Sequence, residues 1–228
     1  MNDARFLKYV YVKCILGSNN IYMSKFLETI YTRRSIRSFI NREVSRKHLE
    51  QIIEAGLRAP SSKNSEPWHV VVVSGSQKDK VVQWTKEGMS TFSSAPVSTE
   101  TGKPVEGIED TTIESMGIID EAHSLILLFN KQPYSKGIHD SERVVSGDNL
   151  YGYSVESISL GACMQNILLA THALGLGAVP MADIYSGVKR IKEHYNIDHH
   201  FVIGVAIGYP AYSPGKRKID KKNSVVFI

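Results

Sequence analysis

Three arginines lie within five residues of one another, at Arg33, Arg34 and Arg37, with Ser35 between them. Guanidinium groups at that density repel one another, and each can bind phosphate oxygens through two parallel hydrogen bonds. A solvated basic turn is the ordinary alternative, because most charge runs lie on the surface. The segment is therefore a candidate phosphate site, and this interpretation needs support from other parts of the sequence.

A second polar segment, residues 60–67, leads directly into a run of four valines. Its two prolines restrict the backbone, while Ser61, Ser62 and Asn64 offer short donors and acceptors. Such groups can hydrogen-bond the edge of an amide-rich ring, although the segment would mean little in isolation.

Other catalytic patterns are weak. Cys14 and Cys163 lie far apart without metal-ligand spacing, so neither a zinc site nor a disulfide framework is indicated, and we expect Cys163 in the core. His194, His199 and His200 lack an acidic or cysteine partner at ligand spacing, which favours a surface turn over a metal site.

Composition indicates an ordinary globular chain. The 228 residues are 42% hydrophobic and 22% charged, with a net charge of +4 spread along the sequence. This argues against nucleic-acid binding and is compatible with a small anionic ligand. No apolar run is long enough for a membrane span. Because no disulfide framework is indicated, we expect the protein in the reducing cytoplasm. We interpret residues 1–22 as an extension of unknown role and residues 23–228 as one domain.

Helical patterns surround both polar segments. One begins near Ser24 and stops at the arginine cluster, and a second, capped by Ser45, ends before residue 60. Residues 157–174 are apolar or small nearly all round, which predicts a central helix or a dimer interface. Gly-Leu-Gly at residues 175–177 follows that helix and is interpreted as its C-cap, not as a dinucleotide fingerprint.

Strand patterns occupy residues 69–74, 124–130 and 201–208, and all three strands are predicted to be buried on both faces. The apolar end at residues 224–228 is also strand-like and must pair. A Ser/Thr/Gly/Pro-rich stretch at residues 90–112, long for a compact domain, is interpreted as a lid. The sum is an α+β fold with roughly four strands.

Together, the two polar segments resemble a known family. The order Arg-Arg-Ser-Ile-Arg, a gap of about twenty residues, then Ala-Pro-Ser-Ser-Lys-Asn-Ser-Glu-Pro-Trp and a valine strand is similar to the nitroreductase superfamily of FMN enzymes. Further matches follow in the same order, at residues 165–170, 173–180, 208–210 and 216–218. The resemblance implies a nitroreductase-like fold, with a central, mostly antiparallel sheet flanked by helices, in an intertwined homodimer.

The resemblance also implies how FMN is held. Arg33, Arg34 and Ser35 would bind its phosphate and ribityl end, joined by Lys216 and Arg217. Arg37 would reach the pyrimidine side of the ring, where a cation stabilises the negative charge of the reduced flavin.

The rest of the implied site surrounds the flavin ring. The first group, implied to come from the partner subunit because FMN lies at the dimer interface in this family, is Pro60, Ser61, Ser62 and Asn64. The second group, implied to lie near flavin N5, is Pro180, Met181 and Ala182. No catalytic side chain and no metal are expected, since the flavin carries the chemistry.

The expected activity is hydride transfer from NAD(P)H to a small aromatic acceptor, a nitroaromatic or a quinone, by a ping-pong mechanism. Reductive dehalogenation or another specialised flavin reaction is the alternative, as is a non-catalytic FMN-binding protein. Glu66, where many relatives have Gln, is similar to the iodotyrosine deiodinase branch. However, the Glu, Tyr and Lys that clamp the amino acid in that branch are not found between residues 83 and 112, and Gly215 replaces a basic residue of many relatives.

Overall fold

The structure is a computed structural model that describes residues 24–89, 98, 102–103, 111–136 and 148–215. The helices are α1 (Lys25–Thr32), α2 (Arg46–Leu57), α3 (Ser76–Gly88), α4 (Thr112–Glu121), α5 (Asp148–Ala173) and α6 (Val188–Tyr195). The strands are β1 (Phe39–Ile40), β2 (Trp68–Ser74), β3 (Ser124–Asn130), β4 (Gly177–Met181) and β5 (His200–Pro210). Short 3₁₀ turns occupy Ser62–Asn64 and Asp183–Gly187. The extension 1–22, most of the lid 90–112, Lys216, Arg217 and the end 224–228 lie outside the described residues.

The sheet is built around β5. Its strands run in the order β1-β5-β3-β2, and β4 also pairs with β5. Every strand pair is antiparallel. The predicted α+β class with a mostly antiparallel sheet is therefore confirmed.

Helices cover the sheet on both faces. On one face α2 and α5 pack over a cluster that includes Ile52, Cys163 and Val205. On the other face α3, α4 and α6 pack over a second cluster that includes Val81, Met116 and Ile191. All seven residues of β3 are buried between these two layers, as its uniformly apolar sequence predicts.

The same prediction is wrong for β2. This strand lies at the edge of the sheet formed by the described residues, and Val72 is 39% exposed. Four consecutive valines cannot distinguish a central strand from an edge strand, because β-branched residues favour both.

Local signals placed the first two helices correctly. The Ser24 hydroxyl accepts a hydrogen bond from the Leu27 amide at 3.2 Å, and Ser45 does the same for His48 at 3.2 Å. Since α1 ends at Thr32, the arginine cluster directly follows a helix, as predicted.

Helix α5 differs from its prediction in length and in burial. It spans 26 residues and begins at Asp148, not near residue 157. Leu160 and Cys163 are buried, but Tyr151 is 78% exposed and Ile158 is 74% exposed. The interpretation of a helix buried on all sides within its own chain is therefore wrong, and the apolar exposed face fits the other interpretation, a dimer interface.

Strand β4 and helix α4 are among the elements that the sequence analysis did not predict, as are β1 and α6. The Pro180 ring removes a backbone donor, which usually counts against a strand; β4 tolerates it because it borders β5 alone among the described strands. The C-cap interpretation holds for Gly175, whose φ is +73°, whereas Gly177 already begins β4. Thr112, the last residue of the predicted lid, instead begins α4.

The histidine interpretation also needs correction. His194 is exposed near the end of α6, but His200 is buried and opens β5, so the three histidines do not share a surface turn.

Within the described part of the chain, no helix combines the length and apolar character needed to cross a bilayer.

Lys78 yields a test of the α3–α4 packing. Its buried ammonium donates to the Ile119 and Asp120 carbonyls, both at 2.7 Å, and so caps the end of α4. Lys78→Met keeps the apolar stem but leaves these acceptors without their donor, and we expect a loss of about 1–3 kcal/mol in urea unfolding.

The matched control is Lys86→Met on the same helix. Lys86 makes only an exposed ion pair with Asp120, at 3.4 Å, so we expect a loss below about 0.5 kcal/mol. Equal losses for the two variants would show that the buried cap contributes nothing special.

Candidate functional site

The arginine segment, residues 33–37, is hydrogen-bonded to the beginning of β4. Ser35 forms a parallel bridge with Ala178, and the Ile36 amide donates to the Ala178 carbonyl at 3.1 Å. Gly177 permits this approach, since a Cβ there would lie 2.8 Å from Ile36 side-chain carbons. The backbone of the segment is therefore fixed by the sheet.

Arg34 links this segment to the C-terminal part of the chain. Its Nε donates to the Gly215 carbonyl at 2.9 Å, and its terminal nitrogen donates to the carbonyls of Arg33 at 2.7 Å and Tyr31 at 3.2 Å. Gly215 immediately precedes Lys216 and Arg217. The contact thus ties Gly215 to the arginine segment, and the basic pair itself lies outside the described residues.

The local field at this segment is positive. Among the described acidic residues, none lies within salt-bridge distance of Arg34 or Arg37. Burial, and then the neighbouring Arg33 and Arg34, lower the pKa of His172 on α5. This arrangement of cations favours an anion as ligand.

His172 is a site residue that the sequence analysis did not identify. Its Nε2 lies 2.9 Å from the Thr32 hydroxyl, which itself donates to the Glu28 carbonyl at 2.7 Å. Because the hydroxyl proton is used on Glu28, we assign His172 Nε2 as the donor. His172 therefore links the end of α1 to α5, next to the arginines.

The second polar segment, residues 60–67, is held by side chains around it. The Ser61 hydroxyl accepts from the Glu66 amide at 3.0 Å, closing the loop on itself. Lys63, Asn64 and Glu66 have φ values of 48°, 53° and 44°. Non-glycine residues in this left-handed region are strained, so the surrounding contacts must hold the loop in shape.

The two polar segments lie at opposite ends of the sheet. Residues 60–67 enter β2 at Trp68, which pairs with Asn130, and Asn130 pairs with His200 at the start of β5. The arginine segment binds Ala178, which pairs with Ile207. His200 and Ile207 are seven positions apart on β5, so these two ends of the strand lie about 23 Å from each other. Within one chain the two segments are not brought together.

Residues 180–182 continue along β4 from the position that contacts the arginine segment. Met181 pairs with Gly204 and is buried, whereas the peptide after it leads to the exposed Ala182. Met181 lies three positions beyond Ala178, about 10 Å along the strand. The residues expected to bind the phosphate and those expected to lie near N5 therefore meet the same strand about 10 Å apart.

Asp183 joins that region to the start of α4. Its carboxylate accepts from the Thr111 hydroxyl at 3.1 Å and from the Ser115 hydroxyl. These contacts bridge 72 and 68 residues of sequence, so no local pattern announces them. They fix the point at which the proposed lid rejoins the described chain.

Cys163 lies in the core, as predicted. It is fully buried, and burial raises the pKa of its thiol to about 11. A thiol with so little thiolate is a poor nucleophile.

Comparisons with known proteins agree with this geometry. A candidate NADH dehydrogenase/NAD(P)H nitroreductase from Methanothermobacter thermautotrophicus is 28% identical over 206 residues, covering 85% of this chain and 81% of that protein. An FMN reductase [NAD(P)H] from Bacillus subtilis is 24% identical over 197 residues, covering 86% of this chain and 70% of that protein.

A crystal structure of an FMN-dependent nitroreductase from Mycobacterium smegmatis in complex with NADPH shares the fold. Its TM-score is 0.63 at 16% identity, covering 88% of this chain and 96% of that one. The model of the Nitroreductase family matches residues 30–209, which include both polar segments, strands β1 to β4 and all but the last residue of β5. The chain therefore belongs to the nitroreductase family.

Proposed function

We propose that this protein is an FMN-dependent oxidoreductase that transfers hydride from NAD(P)H to a small aromatic acceptor, a nitroaromatic or a quinone, by a ping-pong mechanism. The observation that carries the proposal is the arginine segment clamped to β4, with residues 180–182 about 10 Å further along the same strand. The names of the family members described above, which include FMN and NAD(P)H, support it.

The residues present fit a flavin phosphate. Arg33, Arg34 and Ser35 supply cationic and hydroxyl donors beside Gly215, the residue before Lys216 and Arg217 in the sequence. Bound FMN would supply the redox chemistry by accepting electrons from NAD(P)H and passing them to the acceptor.

The side chains and backbone of the site would orient that chemistry. Arg37 would place a cation where negative charge develops on the flavin pyrimidine, and the backbone after Met181 would present donors toward N5. No described side chain has to act as nucleophile or general base, because the two substrates react with the cofactor in turn.

A homodimer completes this site. Residues 60–67 lie about 23 Å from their own arginine segment, too far to bind the same flavin ring. In an intertwined dimer, Pro60, Ser61, Ser62 and Asn64 of one protomer reach the flavin held by the other.

The surface left exposed by one chain supports the dimer. Helix α1 has no buried residue, and Phe26 is 65% exposed. Tyr151 and Ile158 add exposed apolar area on α5. Exposed apolar side chains on two helices support an interaction surface there. A cytoplasmic location completes the proposal, because NAD(P)H is supplied there.

The cofactor assignment predicts a yellow protein with an FMN-like spectrum. Arg33→Ala or Arg34→Ala should weaken FMN binding about ten- to hundredfold, the scale of a charged hydrogen bond of about 1.5–3 kcal/mol. Fluorescence titration of the apoprotein measures this. Arg46→Ala is the control, because Arg46 makes only an exposed ion pair with Glu50. A colourless protein that gains no FMN on titration would refute the assignment.

The dimer proposal predicts that Ile158→Arg yields a monomer that loses FMN, because a charge would be buried in the apolar interface. Sedimentation velocity at micromolar concentration measures the mass. Ile113→Arg is the matched control, since Ile113 is also exposed, at 61%, but lies on the opposite face of the sheet. A wild-type monomer carrying FMN would contradict the proposal.

The acceptor proposal rests on the lid sequence at residues 90–112, which carries Glu100, Glu106, Glu109 and Asp110 against the single Lys103. A halotyrosine needs a fixed cation for its carboxylate and a fixed anion for its amine, whereas a flat acceptor needs only stacking space over the flavin. We expect kcat/KM for a nitroaromatic and a quinone to exceed that for iodotyrosine at least about tenfold under anaerobic conditions. A preference for iodotyrosine would replace this proposal with reductive dehalogenation and leave the flavin assignment intact.

A further inference from the structure

One face of α5 carries small and polar residues in an otherwise apolar helix. Gly152, Glu156 and Ser159 lie at positions i, i+4 and i+7, so they share that face, and all three are buried. They contact two segments outside the helix: the turn that follows β3, residues 131–135, and the loop 60–67.

Glu156 organises the turn. Its carboxylate accepts from Asn130 Nδ2 at 2.7 Å, from the Tyr134 amide at 2.6 Å, from the Ser135 amide at 3.0 Å and from the Ser135 hydroxyl. A carboxylate with no exposed surface is tolerable only with such a set of donors. The backbone at Tyr134 is thereby fixed against α5.

Gly152 permits this close contact. A Cβ at that position would lie 3.0 Å from the carbonyl carbon and oxygen of Tyr134. Any larger residue would therefore push the turn away from the helix.

The fixed turn reaches the loop through a single hydroxyl. Tyr134 donates from its phenol to the Ser62 carbonyl at 3.1 Å, while the Ser159 hydroxyl accepts from the Ser62 amide at 3.4 Å. Ser62 is thus held on both sides, by residues of two different elements. Lys63, which follows it, has a φ of 48°, so the loop needs such support.

We propose that Tyr134 and Ser159 are positioning residues for the flavin, holding the backbone of Ser62 where the loop meets the pyrimidine edge of FMN in the partner subunit. This inference rests on the proposed function. Neither residue touches the reacting atoms; both act through the conformation of the loop.

The test uses Tyr134→Phe in the full-length protein, which removes one hydroxyl and keeps the ring. We expect the Kd for FMN to rise about three- to tenfold, the effect of one lost hydrogen bond. The midpoint potential of the bound flavin should fall, because hydrogen bonds at the pyrimidine edge tune it. The thermal midpoint of the apoprotein should change little.

Two further variants bracket this result. Tyr195→Phe is the matched control, because the Tyr195 hydroxyl bonds Gln77 at 3.2 Å in the layer of α3 and α6, on the other face of the sheet. In this variant the Kd for FMN should stay within about twofold of the wild-type value, and the midpoint potential should not shift. Gly152→Ala displaces the turn while leaving every hydrogen-bonding group present, and should weaken FMN binding as Tyr134→Phe does.

The outcomes separate the two proposals. A wild-type protein that binds no FMN refutes the proposed function itself. Wild-type binding with an unchanged Kd and potential in Tyr134→Phe overturns the positioning role alone. A lower thermal midpoint in Tyr134→Phe with unchanged flavin affinity and potential also overturns it, because that pattern reports a structural contact only.

Discussion

The backbone pairing of Ser35 and Ile36 with Ala178 is the contact on which the site depends. Without it, three arginines after a helix would be a solvated turn, the ordinary fate of a basic run. With it, the segment takes its position from β4, and the same strand leads to Met181. Gly177 makes the pairing possible, because any side chain there would overlap Ile36. Gly177 therefore permits the backbone contact that places the arginine segment beside β4.

The sheet register separates the two polar segments within one chain. The arginine segment occupies one end of β5 and the loop 60–67 lies beyond the other. Helix α5 has two different faces: a buried face with Glu156 and Ser159 contacts the turn and the loop of its own chain, and another face exposes Tyr151 and Ile158. In the proposed dimer, a second copy would cover the exposed apolar face, and each chain would contribute half of each site.

Local sequence signals predicted what local physics decides. Ser24 and Ser45 cap their helices because the hydroxyl and the amide it binds are three residues apart. The buried strand β3 follows from its unbroken apolar run. The family resemblance supplied the fold, both polar segments and the expectation that the second segment acts from the partner subunit.

Residues that act across long separations escaped prediction. Tyr134 contacts a residue 72 positions away, and His172 one 140 positions away. No periodicity links such pairs, and both side chains belong to residue types that are common on surfaces. The strand β4 escaped for a different reason: Gly and Pro within five residues normally argue against a strand, and only its position beside β5 overrides that preference.

His172, next to the arginines, bears on how an anion could bind there. A carboxylate at position 172 would form an ion pair with the neighbouring arginines, and a phosphate would have to displace it. His172 instead anchors α1 through Thr32, and burial together with Arg33 and Arg34 lowers its pKa, which favours the neutral ring. His172 thus supports the end of α1 without placing a negative charge beside the arginines. In the proposed FMN site it would not compete with the phosphate for them.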